Sequence, residues 1–129
     1  MLHGSDNLTR ITADAIKNTV DANYIKINYN KNDPEKLIID LVEEAEKAEE
    51  IFKQTRKRTI IEAEGLDSII TLDIKVRKNR GLINAFKSIA EDLSERYHVT
   101  LIMRTDKPLE QFEAASIASN RLGMHIEVK

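Results

Sequence analysis

Apolar spacing along this chain switches back and forth between the helical and the strand period, and that alternation restricts the fold more than any single motif does. "NYIKINYN" alternates as a strand does, with Ile25 and Ile27 on one face and Lys26 and Asn28 on the other. "NDPEKLIIDLVEEAEKAEEIFKQT" then reads as a helix. Asp33 stands at its N-cap, Pro34 at the first helical position, and Ile38, Leu41, Val42, Ala45, Ala48 and Phe52 form its stripe. Glu43 and Lys47 are spaced to pair on its outer face.

The same switching runs through the rest. Residues 8–20 carry apolar side chains at 8, 11, 15, 16 and 20, a helix that Asp6 or Asn7 would cap. "RTIIEAEG" and "SIITLDIKVRK" read as strands, and "RGLINAFKSIAEDLSERY" as a helix burying Leu82, Phe86, Ile89, Leu93 and Tyr97. "HVTLIMRT" is the most apolar strand. "DKPLEQFEAASIASNRLG" is a helix stopped by Gly123, and "MHIEVK" is a last strand. Alternating helices and strands predict an α/β fold with a mainly parallel sheet. Length agrees with one domain over 1–129, since 129 residues bury a substantial core.

A net charge of −2 supplies no global reason for nucleic-acid binding, and DNA is not expected as a partner. The chain has no cysteine, so disulfides and thiolate metal sites are excluded, in keeping with a reducing compartment and the cytoplasm as the expected location. No apolar run approaches a membrane span.

Several stretches, taken in order, resemble landmarks of the large subdomain of AAA-type ATPases. "LHGSDNLTR" stands where that family carries its phosphate loop, and "ANYIKIN" resembles its second strand. "RTIIEAEGLDSI" is similar to the strand ending in an Asp-Glu pair. "VTLIMRTDKP" is similar to the first-sensor strand, and "ASNRLGMHIEVK" to the arginine-bearing segment before the last strand. The resemblance implies a P-loop-NTPase-like sheet of four to five strands, either three-layered or reduced to two layers. The sequence as given reaches Lys129 without the family's helical lid.

Residue by residue, the resemblance implies a degenerate site. A working loop reads G-x-x-x-x-G-K-[ST], in which glycines let backbone N–H groups wrap the phosphates, the lysine reaches the β/γ-phosphates and the hydroxyl ligates Mg²⁺. Counted from Gly4, the second glycine is Thr9, the lysine Arg10 and the hydroxyl residue Ile11, with Thr12 one place late. Asp6 sets a carboxylate inside the anion cradle. The Mg²⁺-associated acid corresponds to Glu64, which leaves Glu64 the one weak catalytic candidate, and the water-polarising acid corresponds to Gly65. Asp67 and Ser68 match residues without a chemical role. The sensor Asn is Asp106, and of the two family arginines Arg121 is matched while Ala118 replaces the other. Phosphoryl transfer needs these groups jointly.

The expected function is therefore a catalytically inactive AAA-like domain acting through protein–protein contact or as a homodimer, with no resident cofactor or metal. The alternative is a weak ATP-binding or ATPase module using ATP and Mg²⁺ through Gly4, Arg10 and Glu64, with Thr9, Asp106 and Arg121 at the other cofactor positions that the resemblance implies. A third reading, a small RNA-contacting domain, rests on Lys53, Arg56, Lys57 and Arg58 alone, and the missing aromatic platform argues against RNA.

Other clusters have plainer readings. Glu62 and Glu64 share a strand face, near Asp67 and Asp73, in the pattern of a cation or acid/base site; ion pairs with Lys75 and Arg104 or a solvated face are commoner outcomes. His3, His98 and His125 lack ligand spacing. Two expectations concern the sheet. Met1–His3 is too short to span it, so "HIEVK" should pair directly with "VTLIMRT", with "TLDIKV" at an edge. Polar residues at every second place (Lys26, Asn28, Glu62, Glu64, Asp73, Lys75, His125, Glu127, Lys129) predict one wet face, suited to a self-complementary dimer.

Overall fold

The computed structural model describes residues 1–28, 33, 35–65, 80–107, 112 and 126–128. In chain order the elements are β1 (Leu2–Gly4), α1 (Asp6–Thr19), β2 (Asn23–Asn28), α2 (Glu35–Thr55), β3 (Thr59–Glu64), α3 (Arg80–Glu95), β4 (Val99–Ile102), β5 (Arg104–Thr105) and β6 (Ile126–Val128). The fold is α/β, and every strand pairing among the described residues is parallel. The segments "SIITLDIKVRK" and, but for its start and Phe112, "DKPLEQFEAASIASNRLG" lie outside the described residues.

Two three-stranded sheets, β2-β3-β4 and β5-β1-β6, meet along one stretch of chain. Residues 99–102 pair with β3 and residues 104–105 with β1, while the Met103 carbonyl between them accepts from Leu2 N at 2.7 Å. The resulting order is β2-β3-β4/β5-β1-β6.

This order overturns the direct pairing expected between the last strand and 98–105. Leu2 and His3 pair with Arg104 and Thr105 on one side, and Leu2, His3 and Gly4 with Ile126, Glu127 and Val128 on the other. Three residues suffice for an interior strand because both neighbours are equally short here.

Period 2 distributes the strand residues between two cores. Ile25, Ile27, Ile61, Ala63, Val99, Leu101 and Met103 join the larger cluster with Leu37, Leu41, Ala45 and Ala48 of α2 and Phe86, Ala90 and Leu93 of α3. The even positions Tyr24, Ile60 and Ile102 join Leu2 with Ala13 and Ile16 of α1. Helices therefore cover both faces, and Thr59 through Ala63 are buried throughout. The expected wet face is corrected at one position: α1 covers Glu62, which is only 5% exposed, whereas Lys26, Asn28, Glu64 and Glu127 are exposed, and Asp73, Lys75, His125 and Lys129 lie outside the described residues.

Helix α1 also sits in a different rotation from the expected one. Its buried residues are Thr9 and Ala13, whereas Ile11 is 56% exposed. The one-residue connection through Ser5 fixes the helix where β1 ends. Thr9 tolerates the buried seat because its hydroxyl donates within its own helix end, to Ser5 O and Asp6 O at 3.1 Å each. The N-cap is Ser5, whose Oγ accepts from Leu8 N, rather than Asp6 or Asn7. On α2, Leu37 is buried beside Leu41, Ala45 and Ala48, and Lys47 pairs with Glu44 rather than Glu43. On α3, Phe86 and Leu93 are buried as expected, together with Ile83 and Ala90; the Leu82 side chain lies outside the description.

Candidate functional site

An open parallel sheet places its ligand crevice beyond the carboxyl ends of its strands, where neighbouring connections leave in opposite directions. Here that point lies between β1, whose connection leads to β2, and β5, after which the chain continues to β6. A cleft of about 260 Å³ opens there, lined by Asp6 and Thr9 of α1, Glu62 to Gly65 at the end of β3, and Arg104 to Asp106 at the end of β5.

Arg104 organises its floor. The guanidinium Nε donates to Glu62 Oε1 at 2.7 Å, and Nη1 donates to Asp6 Oδ1 at 3.3 Å and to Thr9 Oγ1 at 3.4 Å. Glu62 Oε2 accepts from the Tyr24 hydroxyl at 2.9 Å, so both carboxylate oxygens are engaged. The Glu62–Arg104 pair is well buried, with side chains 7% and 11% exposed. Burial works against the Arg104 charge, but the hydrogen bond and charge of Glu62, joined by Asp6, hold its pKa above the ordinary value. Burial, followed by the bond to Glu62 and that carboxylate's charge, raises Tyr24 well above an ordinary phenol.

Several residues expected at the site do converge here: Asp6, Thr9, Glu64, Gly65 and Asp106. Asp6 and Thr9 already meet the Arg104 guanidinium. Glu64 is bound by Lys26 at 2.8 Å. Gly65 has φ 86, a left-handed conformation that side chains other than glycine adopt at a cost. Arg10 turns away from the cleft to Asp6 Oδ2 at 3.1 Å, and Ile11 lies on the outer face of α1. Gly4 closes β1 with φ 153, and α1 begins two residues later, so residues 6–9 are helix and not a loop. Backbone N–H groups there cannot wrap a phosphate chain as a phosphate loop does. Arg121 lies outside the described residues.

The lining carries four carboxylates (Asp6, Glu62, Glu64, Asp106) and one guanidinium; Arg104 holds Glu62 and Asp6, Arg10 also reaches Asp6, and Lys26 holds Glu64. Among the described residues no group of three or more His, Asp or Glu side chains is arranged to hold a metal. Sequence reasoning did pair Glu62 with Arg104 but missed Tyr24. Its signal was the shared even numbering of 24, 62 and 104, legible once the three strands are known to be neighbours.

The remaining candidates sit elsewhere. His98 stacks on Phe52 with ring centroids 3.7 Å apart, and His3 lies in β1. The basic residues at the end of α2 have partners within the chain: Lys53 with Glu49 and Glu50, Lys57 with Asp21, Arg58 with Val99 O, and Arg56 over the Phe52 ring. No helix among the described residues is long and apolar enough to cross a membrane. Compared with known proteins, the chain matches no family model and no curated sequence.

Proposed function

We propose that this chain is an AAA-like α/β domain that has given up nucleotide chemistry and acts through protein–protein contact in the cytoplasm. The observation that carries the reading is the Arg104 side chain spanning Asp6 and Glu62 across the floor of the switch-point cleft. A phosphate group there would have to displace Asp6 from Arg104 while facing Glu64 and Asp106 on the rim. The strand order β2-β3-β4/β5-β1-β6, with a helix leaving β1 beside the cleft, supports the likeness to the AAA core, because it puts the strand before the loop between the first-sensor strand and the last one. The immediate start of α1 and the left-handed Gly65 support the loss of chemistry.

Calorimetric titration with Mg-ATP tests the reading. No saturable heat and no phosphate release are expected; saturable binding in the micromolar range would overturn it in favour of a weak ATP-binding module.

A further inference from the structure

The amino ends of β2, β3 and β4 lie together at the end of their sheet opposite the cleft. Asn23 N donates there to Arg58 O at 3.0 Å, and Thr59 N to His98 O at 3.2 Å. Residues 53–58 bring four positive charges to this end and no acid. Three of the four are engaged: Lys53 with Glu49 and Glu50 at 3.7 and 3.8 Å, Lys57 with Asp21 at 3.0 Å, and Arg58 with Val99 O at 3.3 Å. Arg56 differs. Its exposed side chain forms no ion pair or hydrogen bond, and its guanidinium lies over the Phe52 ring, 5.7 Å from the centroid. A guanidinium so placed keeps the N–H donors in its own plane free for a carboxylate.

Backbone conformation singles out the same residue. Arg56 (φ 63) and His98 (φ 59) are the non-glycine residues in the left-handed region among those described, and both contact Phe52. Arg56 ends α2 through its N–H to Phe52 O at 2.8 Å, a cap position where glycine is the usual, unstrained residue. A side chain kept against that strain points to a task outside the fold. Beside it, the exposed Lys57–Asp21 pair is weak enough to yield to another carboxylate. Phe52 and Tyr97 are already engaged, by His98 and Arg56 and by Arg96, and neither is left for a base to stack on. These features favour carboxylates over RNA. We propose that this end of the sheet docks an acidic segment of a partner protein, one carboxylate taking the Arg56 fork and another taking Lys57 from Asp21. This rests on the protein-contact reading above and names its surface and the chemistry of its partner.

Fluorescence anisotropy of a labelled oligoglutamate at low salt tests it, with a labelled oligouridylate run in parallel. The wild type is expected to bind the peptide saturably, more weakly as salt rises, and more tightly than it binds the oligouridylate. Arg56→Gly should bind about tenfold more weakly, the loss of one charge-assisted pair, while its melting temperature holds or rises. Arg56→Lys, with the charge but not the fork, should recover only part of the affinity. Lys47→Ala, at an exposed position earlier on α2, should bind as the wild type does. No saturable binding, tighter binding of oligouridylate, or an Arg56→Gly variant that binds undiminished would overturn the proposal. Those results leave the cleft reading standing, whereas Mg-ATP binding would remove that reading whatever Arg56 does.

Discussion

Replacing Arg104 by alanine probes the feature on which the site depends. Exposed ion pairs contribute about 0–1 kcal/mol, whereas breaking a buried pair costs about 3–5 kcal/mol because the remaining charge is stranded. Glu62, with a side chain 7% exposed, falls in the second class, though Tyr24 keeps one hydrogen bond on it. The expected loss is therefore at the lower end, about 3 kcal/mol. With a urea slope of about 2 kcal/mol per molar, the unfolding midpoint falls by about 1.5 M. Two controls isolate the cause. Asp6→Ala removes the other partner of Arg104, whose side chain is 74% exposed, and should cost at most about 0.5 kcal/mol. The double variant Glu62→Leu with Arg104→Met should recover most of the loss, since a well-packed apolar pair replaces a buried ionic one at little cost. A midpoint shift under about 0.5 M for Arg104→Ala would mean that the pair is effectively in water, and the reasoning fails.

Three other predictions concern the same cleft. Thr9→Gly, which restores the glycine of a phosphate loop, should destabilise the chain by about 1–2 kcal/mol through helix propensity and the lost buried hydroxyl, with no ATP binding gained, as thermal melts and calorimetry would show. Gly65→Glu, which restores the water-polarising acid, should cost about 1 kcal/mol because φ 86 disfavours a side chain, and should leave phosphate release at background. The third follows from Tyr24, whose pKa is raised on folding: its contribution is fully present below the unfolded value near 10 and is lost as pH rises through the folded one. Wild-type stability measured by denaturant titration should therefore fall more steeply above pH ~10 than that of Tyr24→Phe; parallel profiles would contradict this.

Much of the architecture was legible because β2, β3 and α2 carry clean periods that local sequence displays. What was illegible depended on distant pairing. Positions 62 and 104 are legible as a candidate ion pair but not as a buried one: only when β3 and the 99–105 stretch are placed side by side do the two charges, 42 residues apart, bury each other. The rotation of α1 was hidden for a related reason. Thr9 takes the buried seat that Ile11 seemed to claim by hydropathy, because its hydroxyl is satisfied by helix carbonyls and the connection through Ser5 leaves the helix no freedom to turn. At the site, the convergence of Asp6, Glu64, Gly65 and Asp106 was readable by resemblance, but the pairing of Asp6 with Arg104 and of Glu64 with Lys26 was not.

We propose that the paired charges lining the switch-point cleft keep nucleotide out of it. Amide chemical shifts of the ¹⁵N-labelled protein, followed during a Mg-ATP titration, test it most directly. The amides of Asp6 to Thr9, Ala63 to Gly65 and Arg104 to Asp106 are expected to stay in place up to millimolar nucleotide. Saturable movement of those amides together, reversed by removing Mg-ATP, would contradict it.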